Sequence, residues 1–194
     1  MDNEKLETVI GYVDAMPDSP WIRRILEVAI FGRFSICFSG DREGTGPNWT
    51  RIAGEFDLVS YFITPCPCGN LLNPKRSCIC SPVRIRAYHE EASTKTARAA
   101  DLYVEVPASG EGRVSTLSFK EAVARIQSAA FRKLTLSADA LKLMRLAQKD
   151  FPLSEARRIK TRQAATAIAC LEGSSTVEAH HLAEALQYQP RNLF

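Results

Sequence analysis

Four cysteines fall within fifteen residues, as Cys66-Pro67-Cys68-Gly69 and Cys78-Ile79-Cys80-Ser81-Pro82, separated by the polar stretch Asn70 to Ser77. Two Cys-x-Cys pairs brought together by one loop can surround a single ion with four thiolates. Zn²⁺ accepts that set tetrahedrally, and a closed four-sulfur shell leaves no position for a reactive water. The chemistry predicted for Cys66, Cys68, Cys78 and Cys80 is therefore a structural zinc site, a clamp on a loop too short to bury its own core. The one-residue gap is tighter than the common zinc spacing, and two disulfides or four free thiols are the alternatives. Redox context favours metal. The start, Met1 to Gly11, is charged and helical in pattern, with no apolar leader. No run approaches the ~20 apolar residues of a membrane span. The chain thus reads as cytoplasmic, with no membrane partner, and clustered thiols in that setting stay reduced and bind metal. Cys37 and Cys170 have apolar neighbours and read as ordinary buried residues.

A second candidate site is cationic. Arg157, Arg158, Lys160 and Arg162 cluster on one predicted helix and could meet DNA phosphates, although an exposed helix face explains them as well. The net charge of +3 does not by itself predict nucleic-acid binding, but from Gly110 onward 13 Lys and Arg stand against 8 Asp and Glu. A third candidate, the glycine-rich Gly40 to Pro47, resembles the entry to a nucleotide site. It lacks the phosphate-reaching lysine of a P-loop and carries Asp41 and Glu43, so it reads as a solvent turn, and ATP with Mg²⁺ is not expected as a cofactor.

The elements that must position these residues divide the chain into three parts, 1–64, 65–110 and 111–194. In the first, apolar residues at helical spacing predict a helix over Trp21 to Phe31, started by Pro20 and stopped by Gly32. Strands are predicted over Phe34 to Phe38 and Phe56 to Thr64. In the second, Ser81-Pro82 starts a helix through His89, read as a surface histidine, and Asp101 to Pro107 alternates as a half-buried strand should. The third part predicts four helices with short polar links. Ser118 and Glu121 form a capping box, with Val123, Ile126, Ala130 and Leu134 inward. Ser137 caps the next helix and Pro152 breaks it. Ser154 caps a third, stopped at Gly173, and Thr176 opens the fourth.

These pieces, in this order, resemble the ComM-type branch of the magnesium-chelatase AAA+ ATPases. Thr64-Pro65-Cys66-Pro67-Cys68-Gly69 is similar to that family's Asn-Pro-Cys-Pro-Cys-Gly segment. Cys78-x-Cys80-Ser81-Pro82, followed by Ile85 and Tyr88, matches its continuation. Asp101-Leu102-x-Val104-Glu105-Val106 looks like the strand that follows, and Ala179 to Tyr188 is close to the family's C-terminal Ala-His-Leu-Ala-Glu-Ala-Leu-Gln-Tyr. The resemblance implies an α+β fold, a small degenerate AAA+ core remnant with a four-cysteine loop, followed by a C-terminal four-helix lid-type bundle.

Departures from the family pattern concern its ATPase residues. Gly40 to Pro47 has no Walker lysine, and Gly46 to Tyr61 leaves no room for the Walker B strand. Thr64 stands where a sensor asparagine is expected, alanine stands at the finger position within Thr96 to Ala100, and Ala156 replaces the lid arginine. Arg98 and Arg157 lie one residue from the finger and lid positions. These losses remove the charges that hold phosphates and Mg²⁺, so no catalytic residue is assigned. The resemblance then implies an inactive interaction or regulatory module, with a protein partner such as a full-length AAA+ ring or a second copy. A nucleotide-binding or ATPase subunit completed by a partner, and a DNA-binding module, are the alternatives.

Overall fold

The computed structural model describes residues 3–15, 20–40, 46–71, 73, 75–90, 95, 99–106, 118–150 and 153–189. Among them are eight helices and three strands, the mixed α and β composition expected. In chain order these are α1 (Asn3–Ala15), α2 (Pro20–Gly32), β1 (Ile36–Ser39), α3 (Gly46–Glu55), β2 (Ser60–Ile63), α4 (Pro82–Tyr88), β3 (Leu102–Glu105), α5 (Phe119–Ser128), α6 (Ala138–Asp150), α7 (Glu155–Leu171) and α8 (Ala179–Gln187).

The strands form one parallel sheet in the order β2-β1-β3, with Ile36 opposite Ser60 on one side and Leu102 on the other. Side chains alternate across a strand, so the sheet has two apolar faces. Ile36, Phe38, Leu102 and Val104 join the main core with α2 and α3. Cys37, Ile63, Ala100 and Tyr103 form a smaller cluster. Buried faces on both sides are what a parallel sheet requires. Burial also pushes the Cys37 thiol up to about 12, against the pull of the nearby Arg157 guanidinium, as an inert core cysteine should show.

Helix α3 was not legible as a helix. The expected strand from Phe56 begins only at Ser60, and Trp49, Ile52 and Ala53 are buried together on one helical face. Phe56 and Leu58 belong to the turn that closes α3. Leu58 donates its N–H to the Ala53 carbonyl, and Asp57 takes the left-handed conformation at φ 57°. Of the glycine-rich segment, residues 41–45 lie outside the described residues, and Gly40 donates to the Ile63 carbonyl beside the β1–β2 pair. Helix α2 occupies the predicted span, but the left-handed residue at its end is Arg33, at φ 52°, one beyond the predicted glycine.

The third part is helical as predicted, with its packing shared. The central α7 buries Ala164, Ala165, Ala167, Ile168 and Ala169, and these small side chains let α8 and α2 pack closely on it. Helix α6 packs on α8. Helix α5 lies against α1 and α2, and one apolar cluster runs continuously from Ile10 to Tyr188. The start of α5 is capped by Ser118, whose Oγ accepts from the Lys120 N–H at 3.1 Å. The carboxylate that joins it belongs to Asp14, which accepts from the Phe119 N–H at 2.6 Å. Helix α5 ends at Ser128, earlier than the apolar spacing suggested. Ala130 is exposed, and Leu134 is buried from an extended segment whose Leu136 bridges to Val177. Ser137 and Ser154 cap α6 and α7 as predicted, and Gly173 follows α7 at φ 72°. Pro152 lies outside the described residues. Helix α8 is capped by Glu178, two residues beyond the predicted Thr176, whose hydroxyl donates to the Glu178 carboxylate.

Ion pairs tie α2 to this assembly. Arg24 reaches Glu184 at 2.8 Å, Glu172 at 2.7 Å and Glu27 at 3.1 Å, and Glu27 also takes Arg125 of α5 at 2.7 Å.

Candidate metal centre

The cysteine module follows directly from β2. Cys66, Pro67, Cys68 and Gly69 make a single turn. Pro67 suits its second position, and the Gly69 N–H donates to the Cys66 carbonyl at 3.0 Å. Gly69 has φ 82°, where a side chain would be strained. The turn places Cys66 Sγ and Cys68 Sγ 3.3 Å apart. Asn73 then reverses the chain, its side-chain oxygen accepting from the N–H groups of Lys75 at 2.8 Å and Arg76 at 3.1 Å. The reversal brings Cys78 Sγ to 3.7 Å from both Cys66 and Cys68. The sulfurs of Cys66, Cys68, Cys78 and Cys80 all lie within 4.8 Å of one another, and none forms a disulfide. Four sulfurs about 2.3 Å from one tetrahedral ion would be spaced by roughly 3.8 Å. The observed set therefore suits one metal ion such as zinc.

Electrostatics agree with that geometry. The Asn70 and Ile79 N–H groups hold the Cys68 thiol down to about 6, so it is a thiolate at neutral pH. The Cys80 N–H also favours a Cys78 thiolate, but desolvation and the adjoining sulfurs outweigh it and push that thiol up to about 12. Desolvation likewise raises Cys80. The crowded thiols thus resist ionising together, and a central cation would favour the four-thiolate state.

The base of the module is locked to α4. Thr64 Oγ1 donates to the Cys66 carbonyl at 2.8 Å and lies 3.0 Å from the Tyr88 hydroxyl. His89 is buried, contrary to the surface position expected, because Nε2 sits 2.7 Å from the Pro65 carbonyl. Ser81 Oγ caps α4 by accepting from the Arg84 N–H.

The four cations of α7 do not share one free face. Arg157 is buried, with Nη1 2.9 Å from the Ala100 carbonyl. Lys160 pairs with Asp101 at 2.9 Å, and Arg158 pairs with Glu155. Arg162 is exposed. Of the expected finger segment, residues 96–98 lie outside the described residues.

A second convergence, Glu172 with His180 and His181, was not recognised from sequence. The Glu178 N–H donates to His181 Nδ1 at 2.9 Å, so the ring proton sits on Nε2, facing Glu172 Oε2 at 3.1 Å. The other Glu172 oxygen takes Arg24 at 2.7 Å. A metal here would displace both a proton and an ion pair, so this is a polar tie at the start of α8. The readable signal was Glu178 three residues before His181, the spacing of a helix-start cap.

No curated protein matches the chain. Residues 49–114, from Trp49 in α3 through the four cysteines and past β3, match the family model for magnesium chelatase, subunit ChlI, and this segment is accordingly magnesium-chelatase-like.

Proposed function

We propose that this chain is a catalytically inactive ComM-like member of the magnesium-chelatase group, acting as an interaction or regulatory module around a structural zinc. The observation that carries the reading is the four-sulfur cluster, spaced for one tetrahedral ion inside the magnesium-chelatase-like segment. Cys66, Cys68, Cys78 and Cys80 would hold the zinc, which supplies a cross-link and no chemistry of its own. On this reading the parallel sheet and α3 are a reduced AAA+ core, and α5 to α8 correspond to the lid.

Several features support inactivity. Gly40 to Pro47 offers polyphosphate two carboxylates and no lysine. The Thr64 hydroxyl, at the sensor position, is engaged by Cys66 and Tyr88. Arg157, nearest the lid-arginine position, is buried against Ala100 and Gln189. Phosphoryl transfer relies almost wholly on positioned charge, and these groups supply none. The proposed partner is a protein, a full-length AAA+ ring or a second copy.

The test is metal analysis with nucleotide titration on the same purified chain. We expect about one zinc per chain, consistent with one four-thiolate site, and no calorimetric ATP binding with Mg²⁺. Protein purified without chelator and free of zinc overturns the metal assignment. Micromolar, Mg²⁺-dependent ATP binding overturns the inactivity.

A further inference from the structure

The cysteine module carries an exposed surface that its structural role does not use. Ile79, between two of the cysteines, is 84% exposed, and Val83, in the first turn of α4, is 78% exposed. No residue of α4 up to Tyr88 is buried. From Leu58 through His89 the sequence contains no Asp or Glu, while Lys75, Arg76, Arg84 and Arg86 fall within it, all exposed. Two aliphatic side chains therefore stand in water on a stretch, Leu58 to His89, whose charges have a single sign, with Glu90 the next charge along the chain.

We infer that this knuckle is a docking surface for a partner protein that offers an apolar pocket rimmed by carboxylates. The inference rests on the structural-metal reading, because the cluster is what holds Ile79 outward. The module is pre-organised. Cys78 and Cys80 lie on either side of Ile79, and the Cys80 N–H donates to the Cys78 sulfur at 3.4 Å. Ser81 caps α4 ahead of Val83, and Tyr88 and His89 anchor its far end. Ordering costs that normally oppose binding are thereby already met. Arginine and aliphatic groups together suit a protein interface with complementary charge.

Other occupants fit less well. A phosphate backbone would use the cations and leave Ile79 and Val83 idle, and among the described residues the exposed tip offers no aromatic ring on which a base could stack. A membrane surface is usually met by Trp or Tyr at the interface, and neither stands at this tip. A second copy in a two-fold contact would set like charges against each other.

The test uses the full chain carrying a benzophenone side chain at position 83 or, separately, at position 159 on α7, irradiated in its native cells. Zinc is measured on the same preparations. The expected result is a protein adduct at position 83 whose cross-linked partner peptide is rich in Asp and Glu. Arg84→Glu with Arg86→Glu should cut its yield about tenfold with zinc content unchanged. Neither arginine is a ligand, so a metal-replete variant is a folded control. With zinc present, any of three results overturns this inference: no protein adduct at 83, an adduct to nucleic acid or lipid, or a yield indifferent to charge reversal. An adduct at 159 with none at 83 removes this surface and leaves the interaction-module reading standing. A zinc-free chain overturns the metal reading, and the held-out knuckle with it.

Discussion

Arg157 Nη1 lies 2.9 Å from the carbonyl oxygen of Ala100, fifty-seven residues earlier in the chain. The same nitrogen is 3.4 Å from Gln189 Oε1. One guanidinium at the start of α7 thus fastens a residue two positions before β3 and a residue two positions after α8. Lys160, one turn on, binds the Ala99 carbonyl and Asp101. A helix face that reads as a phosphate contact is largely occupied in holding the sheet to the helices.

Removing that fastening should be costly. Arg157→Met leaves the Ala100 carbonyl buried and without this donor, so the chain should lose about 1–3 kcal/mol. Urea unfolding checks this through the shift in midpoint at constant slope. An unchanged midpoint would show that the contact contributes nothing net.

Local signals and long-range ones were unequally legible. The cysteine pairs, the Ser81, Ser137 and Ser154 caps and the Gly173 stop depend on residues a few positions apart, and each stands where the sequence placed it. Helix α3 was hidden because Gly46 and Gly54 weaken its intrinsic preference, and only burial of Trp49 and Ile52 under the sheet reveals its inward face. Asp14 at the start of α5 and Arg24 on Glu172 and Glu184 join residues about a hundred or more positions apart. No periodicity reports such pairs. His89 was misplaced for the same reason, since its partner is the Pro65 carbonyl across the module.

Glu27 makes the strongest case for a buried charge that matters to folding. Its side chain is 2% exposed and bonds Arg24 and Arg125 from two helices. Glu27→Ala removes a buried carboxylate that bridges two helices, while Arg24 keeps Glu172 and Glu184 and the half-exposed Arg125 can reach water, so the cost should be about 1.5–3 kcal/mol. Denaturant unfolding of the single variant checks the value. A loss below about 1 kcal/mol would place the pair with ordinary surface bridges.

Metal retention should depend steeply on pH. Four thiolates must form, and in the metal-free module Cys68 is held down to about 6 while Cys78 is held up to about 12 and Cys80 is raised. Binding therefore releases several protons, and affinity falls as pH falls. A competition titration against a zinc-binding dye at stepped pH should show weakening of well over tenfold per unit. PH-independent affinity would exclude a four-thiolate site.

The tie at His181 predicts a separate pH effect, on folding. Desolvation, and then the neighbouring His180, lower the His181 pKa below its ordinary 6.5, and the attraction of Glu172 does not outweigh them. Protonation would also place a proton on Nδ1, where the Glu178 N–H already points. The unfolded chain then binds this proton more readily than the folded one. Stability from the tie is complete above about pH 6.5 and is lost as pH falls through the lower folded value, by at most about 1.4 kcal/mol per unit. Carboxylates act in another window. Asp101, held down by Lys160 and Ser35 despite its burial, and Glu178, held down chiefly by the Thr176 hydroxyl, both sit below their ordinary values of 3.8 and 4.5. Their contributions are therefore lost only at lower pH. The cysteine module titrates in the same window, so thermal melts between pH 8 and 5 isolate the histidine by difference between the native chain and a His181 variant. His181→Asn, whose side-chain oxygen can accept from the Glu178 N–H without titrating, should flatten the dependence there. His180→Gln, at an exposed position, should leave a slope. A His181→Asn chain that loses stability with falling pH as steeply as the native one would show that the Nδ1 acceptor is not the titrating element.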